Sequence, residues 1–291
     1  MKVSLAAHAT RLWFVIITML LVLATAVAAA GGSPARASSS HALHWSGGAR
    51  PVIVLEHGAW ADSSSWNGEI RLLQHDGFTV YAPPNPLRGL PYDSAYLHDF
   101  LTENPALPGK PVVLVGHSYG GAVITDAAVG DPEVKALVYV DAFIPASGES
   151  IGQLLTARPG SCLAGNPADI FDLVSYPGAP AGDFDTYIKP SLFPTCFASG
   201  LPAGLAAQLA ASQQPLAASA VTEPSGPPAW QTIPSWAVIG TADRVIPPAE
   251  LEFMAKRAGA HITDVNAGHL SLISAPCVVT RVIIEAAIAT H

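Results

Sequence analysis

The chain has 291 residues, of which half are apolar and 12% charged, with a formal net charge of −8. That length supports one large domain or a domain with an insertion, and the low charge and high apolar content exclude a disordered or solvating protein. The acidic balance lacks the electrostatic footprint of a nucleic-acid or anionic-membrane binder, and solubility is the plain reading of it.

Lys2 and Arg11 flank a polar start, Leu12 to Ala30 is almost wholly apolar, and Ala35-Arg36-Ala37 offers a small-x-small cleavage site. This is the anatomy of a secretory signal peptide over residues 1–37, and it predicts an extracellular mature chain. The alternative is an uncleaved anchor, since the apolar run is nearly long enough to span a bilayer. Cleavage removes three basic residues and no acid, which takes the formal charge to −11. Residues 38–50 read as a linker.

From Pro51 the pattern changes. Pro51–Leu55, Phe78–Ala82, Val112–Val115, Ala136–Val140, Ser235–Ile239 and, more weakly, His261–Val265 are continuous apolar runs, as expected of strands buried on both faces of a parallel sheet. Helical patterns fall between them, at about Ser64–His75, Tyr92–Glu103, Gly120–Val129, Pro248–Ala258 and Leu270–Ala289. The alternation predicts an α/β fold over residues 51–291. It breaks at about 147–230, a Pro- and Gly-rich segment with no strand signal and one Ala/Leu/Gln-rich helical pattern at Leu201–Leu216. A stretch of that length between core strands reads as a cap over a site, the alternative being a loosely ordered loop.

Of three cysteines, Cys162 and Cys196 share the inserted segment while Cys277 lies in the last helical pattern. In an oxidising compartment the first two are the expected pair, against the alternative of three buried thiols. No CxxC, HExxH or clustered His/Asp set suggests a metal.

The most informative segment is Val112 to Val123, which holds Gly116-His117-Ser118-Tyr119-Gly120 between a buried strand and an apolar helix. Gly-x-Ser-x-Gly alone is a weak signal and could be an ordinary Gly-rich turn. Strand before and helix after make it a nucleophile elbow, in which a strained turn raises the Ser118 hydroxyl to a helix N-terminus. Acyl transfer also needs two N–H donors for the oxyanion. Tyr119 supplies one, and the loop His57-Gly58-Ala59-Trp60, at the end of the first strand, supplies the other from Ala59. His57 itself reads as bracing that loop. This fold orders its triad Ser, acid, His, so the base comes late. His269, in Asn266-Ala267-Gly268-His269 between a strand and a helix, is the candidate, ahead of His261 and His291. Asp243 follows the strand Ser235–Ile239 and is the candidate acid; Asp141, ending the preceding strand, competes with it. An ordinary helix-capping role is the bland reading of each.

Residues 51–289 resemble the α/β-hydrolase superfamily outside the inserted segment. More narrowly, His-Gly-Ala-Trp, Gly-His-Ser-Tyr-Gly-Gly, Gly268-His269-Leu270-Ser271 and Ala82 to Gly89 (Ala-Pro-Pro-Asn-Pro-Leu-Arg-Gly) resemble small bacterial esterases grouped with plant methylesterases and hydroxynitrile lyases. The resemblance implies a central, mostly parallel sheet of eight strands, no cofactor, and ester or related acyl hydrolysis through an acyl-enzyme on Ser118. The lyases of the group carry Thr where this chain has Gly58, and Lys where it has Leu270, so the esterase reading is the one expected. Phe171, Phe184, Phe193, Phe197 and Trp230 argue for an apolar pocket, so the expected substrate is a small, largely apolar ester; the acidic charge predicts no nucleic-acid partner and no stable membrane partner once the signal is removed. Cofactor-free perhydrolysis, C–C bond hydrolysis and slow-turnover ligand binding are the alternatives that the fold also hosts.

Overall fold

Side chains that are apolar on both faces of a strand can be satisfied only by cover on both sides, and the chain supplies it with helices. A computed structural model describes residues 49–290. Six strands form one wholly parallel sheet: β1 (Val52–Glu56), β2 (Thr79–Tyr81), β3 (Val112–His117), β4 (Val134–Val140), β8 (Ser235–Gly240) and β9 (His261–Val265), in the order β2-β1-β3-β4-β8-β9. The central members β1, β3 and β8 are buried along their whole length, and β4 all but is. The edge strands β2 and β9 carry the exposed residues, which is why His261–Val265 has the weaker apolar signal. All six expected runs become strands of the sheet. The family resemblance implies eight; among the described residues the sheet has six, one for each of the six apolar runs.

The helices α1 (Asn67–His75), α2 (Leu90–Glu103), α3 (Tyr119–Ala127), α7 (Pro248–Arg257) and α9 (Pro276–Ala289) connect and cover the sheet. The expected helix at Leu270–Ala289 is two pieces: α8 (Ser271–Ser274) stops at Ala275, because Pro276 cannot donate an N–H and instead starts α9.

The segment between β4 and β8 departs most from the sequence reading. It contains α4 (Ile151–Thr156), α5 (Pro167–Ile170) and α6 (Ala203–Ala211), and also a three-stranded antiparallel sheet of β5 (Phe171–Val174), β6 (Asp185–Ile188) and β7 (Leu216–Ala217). β7 has only two residues, and β5 and β6 form no continuous apolar run, so they left no signal. The Leu201–Leu216 pattern is correspondingly cut back: Gln213 leaves the helix to bond the backbone of Ile188 through both ends of its amide, and Leu216 enters β7.

Within this segment Cys162 and Cys196 form a disulfide, and Cys277 is free and exposed on α9. Cys162 also donates its N–H to the carbonyl of Arg244, next to the candidate acid. A bridge across 34 residues stabilises by about 3–4 kcal/mol in the loop-entropy account. The Cys162→Ser/Cys196→Ser variant should therefore lose about that much in chemical denaturation, while a thiol reagent labels Cys277 alone in the native, unreduced protein. Labelling of all three would refute the pairing.

On the face of α1 turned to the core, Glu69 is completely buried and its carboxyl oxygens meet no donor beyond the helix's own backbone. Burial pushes its pKa up to about 9. The folded protein therefore holds a proton that the unfolded chain has released, and stability falls as pH rises through that window. At pH 7 the penalty is about 3 kcal/mol. Glu69→Met should accordingly raise stability near pH 8 by a few kcal/mol and much less at pH 5. Denaturation curves at the two pH values that show no gain at pH 8 would contradict this.

The expected signal peptide (1–37) and all but the end of the expected linker (38–50) lie outside the described residues. Among those described, no helix is long and apolar enough to cross a membrane.

Candidate active site

Parallel strands all deliver their C-terminal ends to one edge of the sheet, so residues ending β1, β3, β4, β8 and β9 converge there. Three of these strands end in a non-glycine residue with positive φ close by: Trp60 at +55°, Ser118 at +52° and Asp141 at +45°. Backbone strain of this kind persists only where its surroundings over-determine it.

Ser118 sits between β3 and α3, and the need for glycine around it is steric. A Cβ on Gly116 would lie 2.5 Å from the carbonyl oxygen of Gly120, and one on Gly120 would lie 2.6 Å from that of Glu56. The serine carbonyl accepts from the N–H groups of Gly121 and Phe143, and its own N–H donates to Val140. The turn is thus tied to β4 on one side and to its own helix on the other.

The loop after β9 brings His269 over the serine. Its Nε2 lies 2.9 Å from Ser118 Oγ, and its Nδ1 lies 2.8 Å from Asp243 Oδ2. Asp243 enters from the loop after β8; its Oδ1 accepts the N–H groups of Val245 (2.7 Å) and Ile246 (3.1 Å). The sequence candidates Ser118, Asp243 and His269 are therefore brought into one hydrogen-bonded line. All three side chains are almost completely buried, as is His117, whose ring lies 4.9 Å from that of His269 and whose Nε2–H donates to the His269 carbonyl.

Burial lowers the His269 pKa to about 3 and raises that of Asp243 well above the ordinary carboxylate value, the two N–H bonds opposing the rise. A resting imidazole is thus neutral, with Nδ1–H facing the carboxyl and Nε2 free to accept the serine proton. Only the neutral ring can do so, so for a serine nucleophile activity should fall as pH drops through the imidazole pKa. A lowered pKa places the acid limb of kcat/KM below the ordinary histidine value of about 6.5. A pH–rate profile with its acid limb above that value would contradict the inferred desolvation.

Asp141, the competing acid, takes a different position. Its Oδ1 accepts the Gly240 N–H at 2.6 Å and its Oδ2 the Ser271 N–H at 3.2 Å. It makes no bond to the imidazole; it ties the loop bearing Asp243 to the loop bearing His269. Burial and the neighbouring Asp243 charge both raise its pKa.

Ala59 and Tyr119 line the same cavity as Ser118, and among the described residues neither backbone N–H has an acceptor. His57 braces the loop that carries Ala59. Its Nδ1–H donates to Gly58, its Nε2 accepts from the N–H of Asn85, and its carbonyl accepts from the Asn85 amide. At Gly58 a Cβ would stand 2.8 Å from both the His117 carbonyl and Ser118 Cβ, so the threonine of the lyases does not fit this backbone.

The cavity has a volume of about 210 Å³ and is walled by Phe143, Ile151, Leu155, Leu163, Phe171 and Val245, with no charged side chain on its surface. The inserted segment supplies most of this wall. Its Phe197 sets its ring edge-on, 5.1 Å from His269, beside the disulfide. Nothing in the sequence reading assigned Phe197 to the imidazole, nor Asn85 and Asp93 to the surroundings of the site. For Asn85 the available signal was the Pro-Asn-Pro-Leu-Arg-Gly motif; Asp93, four residues beyond it in α2, had none. Among the described residues no cluster of His, Cys, Asp or Glu could hold a metal ion.

The family model described as "Alpha/beta hydrolase family" matches residues 52–282. A carbendazim-hydrolysing esterase of Nocardioides sp. (strain SG-4G) is 35% identical over 112 residues, which is 35% of this chain and 46% of that protein, so the match spans about half the relative's length. A pyrethroid hydrolase from Sphingobium faniae JZ-2 superposes with a TM-score of 0.62 at 21% identity, covering 81% of this chain and 97% of that one. The methylesterase MES16 of Arabidopsis superposes at 0.64 with 16% identity, covering 81% and 98%.

Proposed function

Since the chain belongs to the alpha/beta hydrolase family, we propose that it is a serine hydrolase that cleaves small, largely apolar carboxylic esters through an acyl-enzyme on Ser118. The observation that carries the reading is the unbroken line Asp243–His269–Ser118, opening onto an apolar cavity that also holds two unpaired N–H groups. Esterase and methylesterase are among the names of its relatives, which supports the ester class.

In this mechanism Ser118 Oγ attacks the ester carbonyl carbon as its proton passes to His269 Nε2. The carbonyl oxygen becomes an oxyanion held by the N–H groups of Ala59 and Tyr119, where buried dipoles are worth far more than in water. Asp243 stabilises the imidazolium without taking its proton. Collapse breaks the C–O bond, and the imidazolium gives its proton to the departing alcohol. Water, deprotonated by the same imidazole, then attacks the acyl-enzyme and releases the acid. The uncharged wall of the cavity favours a neutral, apolar acyl group.

The signal-like N-terminus, together with the disulfide, supports secretion as the setting, since disulfides persist in oxidising compartments. The test is a chain-length series of activated esters, run with and without a serine-directed phosphonate. Turnover should peak at a modest apolar acyl group, collapse for acyl chains ending in a charge, and vanish after phosphonate treatment. Turnover indifferent to the phosphonate would overturn the proposal.

A further inference from the structure

The motif Ala82 to Gly89 has no part in the mechanism above, yet side-chain hydrogen bonds tie it to several distant elements. Asn85 grips the oxyanion loop at two points: its N–H donates to His57 Nε2 at 2.9 Å, and its amide donates to the His57 carbonyl at 3.0 Å. His57 is two residues from Ala59. Burial lowers the pKa of His57, so the ring is neutral and Nε2 is available as an acceptor.

On the other side, Tyr119, whose N–H is the second donor, is buried, and its hydroxyl donates to Asp93 Oδ2 at 2.7 Å. The Asp93 carboxyl in turn accepts the N–H groups of Arg88 (2.9 Å) and Gly89 (3.3 Å), which belong to the same motif. Thus the two halves of the oxyanion hole, carried by different strands, are anchored to one loop.

We propose that the stretch from Asn85 to Asp93 is a clamp that sets the spacing of the two oxyanion N–H donors, with His57 and Asp93 as positioning residues that act through Ala59 and Tyr119. The inference rests on the oxyanion-hole reading given above. An acyl-transfer site gains from donors aimed at the tetrahedral oxygen rather than at the ground-state carbonyl, and such aim requires a rigid support. The support is further loaded by the inserted segment: Arg88 pairs with Asp185 at 2.7 Å and donates to the Pro215 carbonyl, and Leu87 accepts the Ala217 N–H. A loop held from both sides in this way has little freedom to drift.

The experiment uses the full enzyme with a trifluoromethyl ketone isostere of its best ester. Ser118 Oγ adds to the ketone carbon, its proton passes to His269, and the ketone oxygen becomes an oxyanion in the same hole. The variants are Tyr119→Phe, which deletes only the hydroxyl that reaches Asp93, His57→Leu, which deletes the acceptor for Asn85, and His57→Gln, whose amide oxygen can restore it. The expected result for Tyr119→Phe and His57→Leu is a fall in kcat of about tenfold to a hundredfold with KM within about twofold, and a ketone Ki weakened by the same factor. His57→Gln should recover most of both. Loss of kcat with an unchanged Ki would mean general structural damage and would overturn the clamp. So would unaltered kcat and Ki in Tyr119→Phe, a substitution small enough to fold. A wild-type enzyme that turns over esters but does not bind the ketone would instead remove the oxyanion-hole reading itself, and the clamp with it.

Discussion

Replacing Ser118 by alanine should lower ester hydrolysis by about 10³ to 10⁶ while leaving the fold and the thermal transition nearly unchanged. The size of the effect follows from the mechanism: without Oγ no acyl-enzyme forms, and only the oxyanion donors and the binding cavity remain to assist a direct attack by water. The fold is spared because the hydroxyl's recorded partner is His269 Nε2, while the strained turn is held by backbone bonds to Val140, Gly121 and Phe143, none of which alanine removes. A phosphonate should label Ser118 in the wild type and nothing in the variant. A Ser118→Ala enzyme with near-wild-type turnover would sink the serine mechanism as a whole.

The second large effect belongs to Asp243. A carboxylate bonded to Nδ1–H keeps the imidazole in the productive tautomer and stabilises its positive form; an amide carries no charge and can present an N–H to the same nitrogen, favouring the wrong tautomer. Asp243→Asn should therefore cut kcat by about 10² to 10⁴ with much less change in KM. Asp141→Asn provides the contrast. Its two oxygens accept from Gly240 and Ser271, and an amide can accept only one of them while turning an N–H against the other. The expected cost is about tenfold or less in kcat, together with about 1–3 kcal/mol of stability from the unpaired buried donor. Measuring both variants on one soluble ester decides between the acids. If Asp141→Asn is the crippled enzyme and Asp243→Asn is nearly normal, the acid has been assigned to the wrong strand, although Ser118 keeps its role.

The inserted segment shows where sequence reasoning stopped. Its length and its place between two core strands marked it as separate, and Cys162 and Cys196 could be matched because they shared it. Its sheet went unseen, since β7 has two residues and β5 and β6, four each, form no continuous apolar run. Much of what holds it is polar and distant in sequence: Arg88 with Asp185, Gln213 with Ile188, and Ser219 with Asp183. None of these pairs leaves a mark on the local pattern.

For the catalytic edge the division is sharper. The apolar runs by themselves determined a parallel sheet, because only a strand covered on both faces tolerates Val112-Val113-Leu114-Val115. That sheet determined where the ends of its strands would lie. The glycines at 116 and 120 determined the turn that raises Ser118, for a purely steric reason that acts within a few residues. Only tertiary structure showed which of Asp243 and Asp141 bonds the imidazole. Both end core strands, so both reach the catalytic edge, and the choice depends on which loop folds toward Nδ1 of a histidine drawn from a third loop. Only tertiary structure, too, brought Asn85 to His57 and Asp93 to Tyr119, because a hydrogen bond to a group 28 or 26 residues away is decided by how elements pack, and no local pattern of apolar residues encodes it.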